Sequence, residues 1–143
     1  MKKSGTDAIT EISMILLFSS IYDDYSERIT KVVRDLLPSG WELESFHNIE
    51  DLSERLHRPR KGLAIAVLLS NTPDDLAGLL SLKDLFKDIQ IILIVPDANS
   101  DTMINGYKLY PRYVGYKNGD LSEIVLVLAK MIKKHESREP GGA

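Results

Sequence analysis

Short runs of apolar residues alternate along the chain with longer segments in which apolar residues recur every three or four positions. The short runs are typical of strands buried on both faces, and the longer segments are typical of helices that cover a sheet. The pattern predicts strands at Ile12 to Phe18, Trp41 to Phe46, Leu63 to Leu69, Ile89 to Val95 and Tyr113 to Tyr116. Because a helical segment follows each strand, we expect a three-layer α/β domain with a doubly wound, parallel, five-stranded sheet.

Start signals mark the five predicted helices. In chain order they are Asp23-Asp24, Asn48 or Glu50, Pro73, Ser100 and Asp120. The third helix is expected to place Phe86 on the same inner face as Leu76. The fifth begins with Asp120-Leu121-Ser122-Glu123, which matches a capping box in which the Glu123 carboxylate accepts a hydrogen bond from the cap backbone.

The composition is that of a globular protein. The chain has 143 residues, 43% of them hydrophobic and 27% charged, with a net charge of -3, which argues against disorder and against nucleic-acid binding. It has no cysteine, so disulfide scaffolds and Cys-based zinc sites are excluded. Its apolar runs are too short to cross a bilayer. We expect a cytoplasmic protein with an N-terminal arm (1–10), one domain (11–136) and a disordered C-terminal tail (137–143).

Functional residues of parallel sheets lie beyond the carboxyl ends of the strands. One such segment, Lys117-Asn118-Gly119-Asp120-Leu121-Ser122-Glu123-Ile124, and the order of the elements together resemble the receiver domains of response regulators. In that family a lysine ends the fifth strand, and a short turn leads into a helix that opens with an Asp-Leu-x-Glu-like sequence. The resemblance implies a flavodoxin-like, CheY-like fold with strand order 2-1-3-4-5.

A phosphorylated receiver needs two acids that hold Mg²⁺, an acceptor aspartate after strand three, a hydroxyl after strand four and the lysine. On this resemblance Ser19-Ser20 replaces the acids, Leu69 or Ser70 occupies the acceptor position, and Pro96 stands where the hydroxyl should be. The residual site positions are Ser19, Ser20, Ser70, Asn71, Pro96 and Lys117. The resemblance therefore implies a degenerate receiver with no phosphoacceptor, metal, cofactor or enzymatic activity.

The other charged residues have simpler interpretations. Asp23 and Asp24 suit helix caps better than metal ligands, and Lys117 suits a cation balanced by an acid from a nearby loop. The basic residues between Arg55 and Lys61 are typical of a solvated turn, although they could also bind an acidic partner. The lysines near the end of the last helix suit the negative end of its dipole.

The last helix is unusually apolar. Its predicted sheet-facing residues are Leu121, Ile124, Val125, Leu128, Met131 and Ile132, and Leu126 and Val127 lie off this face. The fourth helix and fifth strand add Tyr107, Tyr110, Tyr113 and Tyr116. Receivers commonly dimerise through this surface. The resemblance therefore implies that it is a protein interface, which could also join two copies of this chain. An overfilled core helix is the alternative explanation.

The sequence thus predicts a phosphorylation-independent, receiver-like signalling module that binds a protein partner or a second copy of itself, with no nucleic-acid or membrane partner. The alternative is a small-molecule or nucleotide sensor at the carboxyl ends of the strands. Its candidate residues are Ser19, Ser70, Asn71, Asp97 and Lys117. A hydrolase or transferase is a weaker third hypothesis, because no pairing of a base with a nucleophile is visible.

Overall fold

A computed structural model describes residues 12–137 of the chain. The strands are β1 (Met14–Ser19), β2 (Glu42–Phe46), β3 (Leu63–Leu69), β4 (Gln90–Val95) and β5 (Tyr113–Tyr116). The helices are α1 (Asp24–Leu36), α2 (Ile49–His57), α3 (Pro73–Ser81), α4 (Ser100–Tyr107) and α5 (Leu121–Ser137). The arm predicted for 1–10 and most of the predicted tail lie outside the described residues.

The strands form one parallel sheet in the order β2-β1-β3-β4-β5, as expected. Strand β3 lies at its centre and is buried along its whole length, which explains its unbroken run of aliphatic residues. β2 and β5 are the edges. The order makes the carboxyl ends of β1 and β3 neighbours, and helices connected to them leave the sheet on opposite sides.

Side chains that alternate along each strand divide the core into two layers. On one face of the sheet, Leu16 and Phe18 of β1 pack with residues of α2, α3 and α4 and of the turn after α3. On the other face, Ile15 and Leu17 pack with α1 and α5. This division gives the three layers that the sequence predicts.

Three local predictions need correction. Helix α3 ends at Ser81, and Phe86 is buried from a separate 3₁₀ helix, Lys83–Phe86, because the Leu82 backbone leaves the helical conformation. Glu123 accepts a hydrogen bond from the Tyr113 hydroxyl, whereas Asp120 accepts one from the Ser122 N–H, so the predicted reciprocal capping box is not what begins α5. Helix α5 also continues through Ser137, the first residue of the predicted tail.

The apolar faces of α5 differ from the prediction at two valines. Val127 packs against the core, since the helical period places it beside Ile124 and Met131. Val125 is half-buried, and Leu126 is 61% exposed. The prediction that Leu126 lies off the buried face is therefore confirmed, while the same prediction for Val127 is wrong.

Arg55 is part of the fold rather than of a solvated turn. Its side chain is buried, its Nε lies 2.7 Å from Glu44 Oε1, and its Nη1 donates to the Pro59 carbonyl at 3.1 Å. Arg60 likewise donates to the Leu56 carbonyl at 3.0 Å. These bonds tie α2 to β2 and to the turn that leads into β3. Within residues 12–137, no helix is long and apolar enough to cross a membrane.

Candidate functional site

The carboxyl ends of β1, β3 and β5 bring together three of the predicted site residues. Lys117 Nζ donates to Asn71 Oδ1 at 2.9 Å, and Asn71 Nδ2 donates to Ser19 Oγ at 3.3 Å. Ser19 Oγ in turn donates to the Ile21 carbonyl at 2.7 Å. The sequence placed Ser19, Asn71 and Lys117 at the same edge of the sheet, and the structure joins them in one chain of hydrogen bonds.

Asp23 is the acid that balances Lys117. One carboxylate oxygen, Oδ1, accepts from the Ser26 N–H at 3.0 Å as the N-cap of α1, which confirms the predicted cap. The other, Oδ2, lies 2.7 Å from Lys117 Nζ. The hydrogen bond from Lys117, followed by the one from the Ser26 backbone, lowers the pKa of Asp23 below its ordinary value. Asp23 therefore stays ionised and paired at neutral pH.

Asp75 is a site residue that the sequence analysis missed. It is buried, and its Oδ2 accepts from Ser20 Oγ at 2.6 Å and from the Asn71 N–H at 2.9 Å. Thr72 caps α3 by accepting from the Asp75 N–H at 3.1 Å. The available signal was an acid three residues after a Thr-Pro helix start, a position from which a carboxylate can bond back to the preceding loop. Asp75 thus fixes the loop that carries Asn71.

The remaining predicted positions are occupied by groups that cannot form an acyl phosphate. Leu69 ends β3 in the core, and Ser70, which is 2% exposed, directs its hydroxyl to the Thr72 carbonyl at 3.4 Å. Pro96 follows β4 and is half-buried. Across residues 12–137, no group of three or more histidine or acidic side chains is arranged to hold a metal ion.

Asp97, a residue of the predicted sensor site, does not join this network. It lines a cleft between α3 and α4 together with Leu76, Leu80 and Asp101. Its Oδ1 accepts from the Asn99 N–H at 2.9 Å, which orders the loop before α4. The residues assigned to the sensor hypothesis are therefore divided between two places in the fold.

The surface of α4, β5 and α5 exposes several large apolar side chains. They are Ile104, Tyr107, Tyr110, Tyr116 and Leu126. Tyr110 is 86% exposed and has φ 54°, a left-handed conformation that is unfavourable for an aromatic residue. Ile104 lies one helical turn before Tyr107 and was missed, because the sequence analysis considered mainly the tyrosines of this segment.

Tyr113 belongs to the inside of this surface. It is half-buried and packs against the core, and its hydroxyl donates to Glu123 of α5. This hydrogen bond, together with burial, raises the pKa of Tyr113 to about 12. Tyr113 therefore links β5 to α5, and Tyr107, Tyr110 and Tyr116 are the tyrosines that this surface presents to solvent.

Several solved structures with the same fold are receiver domains. The signal receiver domain of an HD domain-containing protein from Pseudomonas fluorescens is 17% identical with a TM-score of 0.66, and the match covers 90% of this chain and 100% of that one. A CheY-like receiver domain from Methanospirillum hungatei is 13% identical with a TM-score of 0.65, over 89% and 98%. The chain has a CheY-like receiver fold.

The same fold occurs in a Burkholderia thailandensis protein assigned to pilus assembly, which is 15% identical with a TM-score of 0.66 over 85% of this chain and 99% of that one. No protein-family model and no curated protein sequence matches the chain. At these identities the likeness establishes the receiver fold, and the role of the site depends on the residues present in this chain.

Proposed function

We propose that the chain is a receiver-fold signalling module that acts without phosphorylation, by binding a second protein molecule through α4, β5 and α5. The observation that carries this proposal is that Lys117 is already bound by two neighbouring side chains. Its ammonium group is bound by the Asp23 carboxylate at 2.7 Å and the Asn71 amide at 2.9 Å. A lysine that neutralises a transferred phosphoryl group would have to leave these partners.

The acids near Lys117 also support a site without phosphoryl transfer. An acyl phosphate forms when a carboxylate oxygen attacks phosphorus, so that oxygen must give up its existing bonds. Asp23 would lose either its cap on α1 or its pair with Lys117. Asp75 is only 9% exposed, and its Oδ2 accepts from both Ser20 and Asn71. Both carboxylates are thus engaged in holding the loops together.

The exposed apolar side chains support an interface on α4, β5 and α5. Large aromatic residues are enriched in the centres of protein interfaces, because they bury a large area with few rotatable bonds. Tyr107, Tyr110 and Leu126 are each more than half exposed, at 56%, 86% and 61%. We take a second copy of this chain as the partner, since an apolar surface that includes an edge strand can pair with itself about a two-fold axis.

A Leu126→Glu variant should associate at least tenfold more weakly than the unchanged protein, because the new carboxylate would be buried in the interface without a partner. Sedimentation velocity over a wide range of protein concentrations measures this dissociation constant. Ile21→Glu is the matched control, since Ile21 is also an exposed apolar residue but lies in the loop after β1. It should associate like the unchanged protein.

Two results would contradict this assignment of the interface. One is an unchanged protein that stays monomeric at every concentration tested. The other is a loss of association that is equal for Leu126→Glu and Ile21→Glu, since that would mean that added negative charge, and not its position, decides the outcome.

A further inference from the structure

A small cavity lies beyond the carboxyl ends of β1 and β2, beneath α1. Its volume is about 150 Å³. Its polar wall includes Thr30, Arg34, Ser45 and His47, and its apolar wall includes Leu17 and the Tyr22 ring. Lys117, Asn71 and Asp75 do not line it, and Ser19 is the residue that it shares with the hydrogen-bond network at the ends of β1, β3 and β5.

Arg34 supplies the cavity with a positive charge that no acid between residues 12 and 137 balances through an ion pair. Two other basic residues of α1 form ion pairs along the helix, Arg28 with Asp24 at 2.7 Å and Lys31 with Asp35 at 3.1 Å. Arg34 forms no ion pair with any residue between 12 and 137. The dipole of α1 favours a cation in its last turn, but it does not neutralise the guanidinium group. That group remains able to bind a carboxylate through two parallel hydrogen bonds.

His47 adds an imidazole ring to the cavity, and its hydrogen bond to Ser19 defines which ring nitrogen carries the hydrogen. Its Nδ1 lies 3.1 Å from the Ser19 carbonyl oxygen, and because a carbonyl can only accept, Nδ1 carries the hydrogen. The Tyr22 ring packs edge-on against the imidazole at 6.0 Å between centroids. These two contacts fix the ring and leave Nε2 without a partner among residues 12–137. When protonated, Nε2 donates to an anion.

The size of the cavity limits its ligand. A water molecule takes up about 30 Å³ in the liquid, so the cavity holds roughly five groups of that size. Pockets for drug-sized ligands are typically about 300–1,000 Å³, so this cavity is too small to enclose a nucleotide. One end of the ligand must suit a guanidinium, an imidazole and hydroxyls, and the other must suit Leu17 and the Tyr22 ring.

We propose that this cavity binds a short-chain aliphatic carboxylate of about two to four carbons. The carboxylate lies against Arg34, His47 and the Ser45 hydroxyl, and the alkyl group packs on Leu17 and the Tyr22 ring. The binding of such an acid is independent of the interface on α4, β5 and α5, so either assignment can fail while the other holds.

The test is a titration of the ¹⁵N-labelled protein with sodium butyrate, followed by ¹H–¹⁵N correlation spectra at constant ionic strength maintained with chloride. We expect saturable shifts concentrated at Arg34, Ser45 and His47. Butyramide, which has nearly the same shape and no charge, should cause none. Arg34→Gln should weaken butyrate binding at least tenfold, and Arg34→Lys should retain part of the affinity because it keeps the charge and loses the planar fork.

Arg28→Gln is the matched control, because it removes the same charge from the same helix at a residue that does not line the cavity. It should bind butyrate like the unchanged protein. The melting temperatures of Arg34→Gln, Arg34→Lys and Arg28→Gln show whether each variant folds, and we expect all three to fold. The proposal would be overturned by equal shifts with butyramide, by equal losses in Arg34→Gln and Arg28→Gln, by saturable binding of inorganic phosphate but not of butyrate, or by uniform shifts that do not saturate.

Discussion

Replacing Asp75 with alanine should lower the free energy of unfolding by about 2–3 kcal/mol. The change removes one acceptor from two donors at once, the Ser20 hydroxyl at 2.6 Å and the Asn71 N–H at 2.9 Å. Each donor then has to find water in a partly buried loop. Since the same loop holds Asn71 against Lys117, the Asn71 side-chain amide should also change its chemical shift. Urea unfolding and amide spectra measure the two effects.

Asp74→Ala is the matched control for this result. Asp74 is the neighbouring acid in the first turn of α3, is exposed, and has the same favourable position relative to the helix dipole. Asp74→Ala should lower the free energy of unfolding by about 0.5 kcal/mol or less. The loss of stability for Asp75→Asn should fall between those for Asp74→Ala and Asp75→Ala, because asparagine keeps an acceptor oxygen and loses the charge. Equal losses for Asp74→Ala and Asp75→Ala would show that the dipole, and not the loop bonds, accounts for the stability.

Replacing Gly62 with alanine should lower the free energy of unfolding by about 2–4 kcal/mol. Gly62 has φ +92°, which strains any residue with a side chain, and an added Cβ would lie 2.4 Å from the Ile12 carbonyl oxygen. Gly62 also accepts a hydrogen bond from the Met14 N–H at 2.7 Å. Any shift that relieves the clash therefore disturbs the start of β1. Urea unfolding at a fixed temperature measures the loss.

Gly40→Ala is the control that separates backbone strain from the clash with the Ile12 carbonyl. Gly40 has a similar φ of +88°, but an added Cβ there would meet no atom within 4 Å. Its substitution should cost about 1 kcal/mol, the strain alone. If Gly62→Ala proves no more costly than Gly40→Ala, the close approach of Ile12 to the turn before β3 is not a real constraint on the fold.

The sequence was sufficient for the fold because local and long-range signals agree. β3 and β5 begin and end where their apolar runs begin and end, and Pro73 and Asp23 mark helix starts correctly. The exceptions have local causes. The chain from Pro73 to Phe86 is apolar enough for one helix, but periodicity cannot detect the single residue, Leu82, at which the backbone leaves the helical conformation.

The site was only partly predictable, because its bonds join residues that are distant in the sequence. Asp23 and Lys117 are each explained locally, one as a cap and the other as the end of a strand, and nothing local pairs them. Asp75 has an ordinary role as a first-turn acid, and its bond to Ser20 depends on how β1 and β3 lie side by side. The order of the strands in the parallel sheet brings these residues together, so their contacts follow from the fold and not from a sequence motif.

The most direct test of phosphorylation-independent action combines two measurements on the same samples: intact mass and light scattering, before and after incubation with Mg²⁺ and a small phosphodonor such as acetyl phosphate. A receiver known to accept a phosphoryl group serves as the positive control. Our account predicts no phosphoryl adduct on this protein and a molar mass that indicates association and is the same before and after incubation. A stable adduct on Asp23 or Asp75, with a change in association, would contradict it.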